Sequence, residues 1–110
     1  MKMKLAILMY LKGDERCVDR LLKEIDLQTF SRLPVEGHRA GPLGGWYGDT
    51  APYQSQLLMS VLPEHQAARL AAAVKTCTGV EDPQHPIRAA ILDVEQFVNC
   101  DNPNKDAIEQ

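Results

Sequence analysis

The stretch Lys4 to Leu11, KLAILMYL, is apolar at nearly every position. A strand with one wet face alternates apolar and polar residues. A continuous run instead fits a strand covered on both faces, by its own chain or by a partner subunit. Lysines precede this run, as in a secretory leader, but no small-residue cleavage site follows and the chain runs straight into a charged helical pattern. The segment therefore reads as a buried first strand. With 110 residues, the chain has the length of one domain with a thin core. Covering both faces of its strands from within is a heavy demand on so short a chain.

Gly13 breaks the run, Asp14 is placed to cap a helix, and Glu15 falls in the first turn, where the helix dipole favours an acid. Cys17, Val18, Leu21, Leu22 and Ile25 recur at helical spacing, with charged residues between them, which predicts an amphipathic helix of about three turns. TFSRLPVEGHR follows; Thr, Phe and Val favour a strand, and Pro34, which has no N–H to donate, places it at an edge or a bulge. QSQLLMSVLP reads as a third strand, and Pro63 opens a second helix along Ala67, Leu70, Ala71, Val74 and Cys77. A loop, TGVEDPQHP, leads to a fourth strand in IRAAILDVEQFV, with a short turn over residues 95–98.

The order β-α-β, β-α-β predicts an α+β, ferredoxin-like βαββαβ domain. Its four-stranded antiparallel sheet carries both helices on one face. The other face is left bare, and strands one, three and four are too apolar to leave it in water. Copies of the same chain are the simplest cover.

Charge and cysteine usage narrow the function classes. The formal net charge of −3 argues against non-specific binding to nucleic acid or anionic lipid. No apolar run approaches the roughly 18 residues of a membrane span. The three cysteines are widely spaced with no CxxC, which points to a reducing cytoplasm rather than a disulfide framework or zinc cluster. Cys17 and Cys77 fall on apolar helix stripes and read as core, while Cys100 in the polar tail reads as the exposed thiol.

Residues 36–53, EGHRAGPLGGWYGDTAPY, hold five glycines, two prolines, the single tryptophan and two of the three tyrosines. This is not a Walker A motif, since Gly-Lys-[Ser/Thr] is missing. Structureless loops beyond about 12–15 residues are usually functional or disordered. Glycine backbone N–H groups admit an anion closely, and Arg39 adds a bidentate donor. Trp46 and Tyr47 are the candidate partner anchors. His38 sits beside Arg39, but an exposed loop histidine is the simpler reading. His38, His65 and His85 are dispersed, so their spacing predicts no metal site. Glu36 and Asp49 flank the loop without a fixed distance, and no nucleophile–base pair is visible, so no catalytic residue is assigned.

In SVLPEHQAARLAAAV, IRAAILDVEQFV with its Asp93-x-Glu95 pattern, and EGHRAG, the chain resembles the PII-like signalling proteins over most of residues 3–98. The resemblance implies a PII-like domain over 1–98, a T-loop at about 36–54 and a polar tail over 99–110. It implies a homotrimer with its bare sheet faces around a threefold axis and an adenine nucleotide in each intersubunit cleft. The cleft would be lined by Gly37, His38, Arg39 and Gly41 on one side and by Gly79 and Arg88 opposite. The T-loop would act on a protein target, such as a transporter or an enzyme, with nucleic acid uninvolved and any membrane met only through the transporter. The arginines that typical members carry after the last strand are replaced by Asn99 and Asp101, which favours AMP or ADP over ATP. The PII-like branch associated with carboxysomes and inorganic-carbon uptake adds bicarbonate as a candidate ligand. The resemblance thus implies a cytoplasmic, non-enzymatic regulator without a resident cofactor. A CutA-like or efflux-associated metal-responsive trimer is the alternative, and a hydrolase using the cleft a distant third.

Overall fold

The computed structural model describes residues 2–38 and 53–100. Strand β1 spans Met3–Leu11, a 3-10 turn covers Lys12–Asp14, and helix α1 runs over Glu15–Glu24. Strands β2 (Ser31–Gly37) and β3 (Tyr53–Pro63), helix α2 (Glu64–Thr76) and strand β4 (Arg88–Asp93) follow. The four strands form one sheet in the order β2-β3-β1-β4, and every neighbouring pair is antiparallel. This is the predicted α+β ferredoxin-like arrangement. Among the described residues no helix is long and apolar enough to cross a membrane.

The period-2 geometry of the central strands divides the apolar residues between two faces. Ala6, Leu8 and Tyr10 of β1 and Leu58 and Leu62 of β3 are buried together with Val18, Leu21 and Leu22 of α1 and Ala67 and Leu70 of α2. Both helices therefore cover one face. Leu8, Leu58, Leu62, Leu70 and Val18 are essentially fully buried; truncating any of these leucines to alanine is expected to cost about 2–5 kcal/mol.

The alternate residues face the other way. Across that face, Leu5 pairs with Val61 and Leu92, Ile7 with Met59 and Ala90, and Met9 with Leu57, itself opposite Leu33. Met9, Leu33 and Leu92 are 40%, 39% and 45% exposed, although their neighbours are apolar. Among the described residues no second layer covers this face.

Element ends differ from the sequence reading at Asp14 and at the close of β4, and the end of α1 carries a cap that the sequence did not announce. Asp14 stands at the N-cap position of α1, yet its side chain makes no capping bond. The preceding 3-10 turn aims its Oδ1 at the Glu81 N–H instead, at 2.9 Å. Helix α1 ends with Asp26 at φ 57°, where the Leu27 N–H donates to the Leu22 carbonyl at 2.9 Å and Asp26 N–H to that of Lys23 at 3.1 Å. These two bonds form a Schellman cap with aspartate at the left-handed position usually taken by glycine. Strand β4 stops at Asp93, where Lys4 of β1 clamps the Asp93 carboxylate. The segment beyond has only a bend at Glu95, and it leaves Phe97 and Val98 exposed.

Pro34 lies in β2, at the sheet edge, where a missing N–H costs no ladder bond. Pro63 ends β3 and caps α2 from outside, in an extended conformation. The first amide of α2, Glu64 N–H, is satisfied by the Lys2 carbonyl at 3.1 Å.

Candidate functional site

The bare sheet face ends in a cleft of about 260 Å³, at the point where β2 and β3 lead into residues 39–52. Its floor is sheet: Met9 and Leu11 of β1, Val35 of β2 and Leu57 of β3. Its walls are Gly37 and His38 at the end of β2, Tyr53 at the start of β3, and His85, Pro86 and Arg88 on the approach to β4. Three chain segments thus converge because the sheet order sets β1 between β3 and β4.

The wall on the β4 side is shaped by its own loop. Gly79 takes φ +83°, a conformation that favours glycine, and turns the chain after α2. Asp14 then holds the loop through the Glu81 N–H at 2.9 Å. Asp82 closes the next turn, accepting the Gln84 N–H on Oδ1 at 2.9 Å, while its carbonyl accepts the His85 N–H at 2.9 Å. Asp82 Oδ2 lies 2.8 Å from His85 Nδ1. This carboxylate orients the ring and selects the tautomer with the proton on Nδ1. The His85 ring packs edge-on against Tyr53, with centroids 4.4 Å apart at 64°. Its Nε2 is buried and has no hydrogen-bond partner among the described residues.

On the opposite wall, Gly37 pairs with Tyr53 across the β2–β3 ladder. A side chain at Gly37 would overlap the Tyr53 ring. This glycine is needed for close approach and not for an unusual backbone angle. His38 is exposed and its Nε2 lies 3.2 Å from Glu36 Oε2. Arg88 pairs with Met9 in the ladder and so points to the bare face. It is exposed, and it makes no ion pair with the described residues. Among the described residues the cleft therefore offers one guanidinium, two imidazoles, the Tyr10 and Tyr53 side chains and an apolar floor, with Glu36 as its acidic member.

Of the residues singled out from the sequence, Gly37, His38 and Arg88 are brought together here. Gly79 does not line the cleft; it acts one step back, turning the loop that delivers His85 and Arg88. Arg39, Gly41, Trp46 and Tyr47 lie outside the described residues. The sequence reading missed His85 and Tyr53 as a pair. They are far apart in the chain, and only closure of the sheet brings their rings into contact. Among the described residues no three His, Cys, Asp or Glu side chains group closely enough to hold a metal ion.

The βαββαβ order and the β2-β3-β1-β4 sheet match the PII-like fold in the comparison with solved structures. A protein of Thermus thermophilus described as a PII-like signalling protein matches with a TM-score of 0.59 and 18% identity, over 86% of this chain and 88% of that one. GlnK from B. subtilis matches with a TM-score of 0.64 and 11% identity, over 90% of each chain. At these identities the likeness is one of fold. No protein-family model matches the sequence, and no curated protein does.

Proposed function

We propose that the chain is a PII-like regulator, a homotrimer that binds an adenine nucleotide in the cleft and controls a protein target through residues 36–54. The observation that carries this reading is the position of the cleft. It lies at the margin of the bare apolar face, so whatever covers that face also closes the cleft. Within one protomer the cleft is small for a nucleotide, since sites for ligands of that size usually run to about 300–1,000 Å³. A second copy packed on the sheet supplies the missing wall.

The chemistry of the lining fits the ligand class. Tyr53 and the apolar floor suit a purine ring. Arg88 suits a phosphate, which it meets as a planar two-pronged donor. Among the described residues the cleft has a single guanidinium, Arg88, beside the acidic Glu36, and this balance favours AMP or ADP over ATP. Bicarbonate is a candidate second ligand for His38 and Arg88. Ligand occupancy would bias the 36–54 segment, and Trp46 and Tyr47 on it would meet the target, a transporter or an enzyme. The protein then acts by binding and not by catalysis, in the cytoplasm. No observation on the described residues favours the metal-responsive alternative.

Calorimetric titration with AMP, ADP and ATP, with and without bicarbonate, tests the reading. AMP or ADP is expected to bind at sub-millimolar concentration, and Arg88→Ala to weaken it about tenfold or more. No heat from any nucleotide at near-millimolar concentration overturns the proposal.

A further inference from the structure

Cys17 and Cys77 sit 60 positions apart in the chain, yet their sulfurs are 4.0 Å apart. Cys17 is in the first turns of α1 and Cys77 is the residue that ends α2. Both are half-buried and both are free thiols. They open onto a recess of about 180 Å³ between the helices, lined also by Arg20, Glu24 and Thr78. Both sulfurs lie near the Thr78 carbonyl, at 4.0 Å from Cys17 and 3.9 Å from Cys77. These helices cover the face of the sheet opposite the bare one, so association through the bare face leaves the recess open. Solvent access and two thiols in van der Waals contact are the conditions from which a disulfide can form.

We propose that Cys17 and Cys77 form an oxidation site, converted to an intramolecular disulfide by hydrogen peroxide. Burial first, and the neighbouring Cys17 sulfur second, hold the Cys77 thiol above its ordinary range; the two sulfurs face each other, so either can attack first, and one route begins at Cys17. Its thiolate displaces hydroxide from the peroxide, breaking the O–O bond and forming a sulfenic acid; the hydroxide takes a proton and leaves as water. Cys77 then attacks the Cys17 sulfur, the S–O bond breaks and its hydroxide leaves as a second water, taking the Cys77 proton. Two thiols lose two electrons, and one peroxide is reduced to two waters. The sulfurs must close about 2 Å to reach bonding distance, a movement within reach of side-chain rotation and a small shift at the end of α2.

The site is coupled to the cleft by the chain itself. Cys77 begins the loop that Gly79 turns, Asp14 anchors and His85 and Arg88 complete. A bond from Cys77 to α1 ties the start of that loop to the helix layer and frees the Thr78 carbonyl from both thiols.

The test uses the full-length protein carrying Cys100→Ser, which removes the exposed third thiol without touching the helices. Hydrogen peroxide at stoichiometric to tenfold excess is followed by thiol titration, intact mass and peptide mapping. The expected product has lost both titratable thiols, is two hydrogens lighter, and yields a Cys17–Cys77 linked peptide; a reductant restores it. Its thermal midpoint is expected to rise, because the bond closes a long loop of the unfolded chain. Cys17→Ser on the same background is expected to abolish the linked peptide, with circular dichroism confirming the fold. Thiols that stay titratable, oxygen added without a linked peptide, or a bond only between different chains overturns the proposal. None of these readouts depends on nucleotide binding.

Discussion

Tyr10 and Arg32 show how one polar pair is kept inside an apolar layer. Tyr10 is 2% exposed, and its hydroxyl accepts the Arg32 Nε–H at 2.7 Å. The guanidinium also donates to Asp19 at 2.6 Å and lies 3.5 Å from Glu15, both on α1. It further stacks at 5.3 Å from the Phe30 ring centroid. One arginine thus joins β2 to β1 and to α1. Burial raises the Tyr10 phenol above its ordinary range, while Arg32 opposes the rise. A raised folded value means that the folded state holds its proton longer. The stability this contributes is intact below the ordinary phenol range and is lost as pH rises through the folded value. Arg32→Met is expected to leave the hydroxyl buried without its donor and to cost about 1–3 kcal/mol. The phenol should then titrate still higher. Urea unfolding and the ultraviolet absorbance of tyrosinate check both effects. An unchanged urea midpoint contradicts the argument.

At the scale of elements, the β2–β3 pair positions one wall of the cleft through the contact of a glycine with an aromatic ring. Gly37→Ala is expected to push the Tyr53 ring off His85, since the new methyl needs the space that the ring occupies. The sheet should survive, because Gly37 is the last residue of an edge strand. Two readouts follow. The ring-current shift of the His85 protons should shrink, and AMP or ADP affinity should fall about tenfold. A His85 spectrum identical to wild type contradicts the packing argument, whatever the ligand does. The same pair marks how far the elements were legible. Apolar runs and helical spacing predicted three strands and both helices, and the strand preference of Thr, Phe and Val predicted β2, because those signals are local and the core selects them. Pro34 announced its edge strand for the same reason. Three features were not local. Asp14 was readable as a cap, but its carboxylate is claimed by Glu81 from a distant loop. The close of β4 at Asp93 is set by the Lys4 clamp and the length of β1, while Val94 to Val98 kept an apolar pattern with nothing to pack on. The contacts of His85 with Tyr53 and of Cys17 with Cys77 depend on tertiary closure, for which sequence spacing carries no signal.

For the whole molecule, the decisive quantity is the bare sheet face. Four strands spaced by about 4.8 Å and rising about 3.3 Å per residue present a face of roughly 19 by 30 Å, close to 600 Å² in projection. A stable interface typically buries about 800 Å² per partner, so this face, with flanking side chains, suffices for association. The edges are poorer candidates. At β2 the edge carries Arg32, Pro34 and Glu36, devices that discourage strand addition, and β4 is short at six residues. For the proposed trimer, face-to-face contact is expected to outcompete edge pairing. Leu92 is 45% exposed on that face, opposite Leu5 in the ladder, and is not a cleft residue. In sedimentation equilibrium at micromolar concentration the unaltered chain is expected to run as a trimer. Leu92→Glu places a charge where a neighbour's apolar side chain must sit, at a cost that removing partner contacts cannot recover. That variant is expected to sediment as a folded monomer and, although it leaves every cleft residue in place, to lose nucleotide binding about tenfold or more. A monomeric wild type removes the shared-wall argument. A monomeric variant that still binds AMP at full affinity shows instead that one protomer makes the whole site.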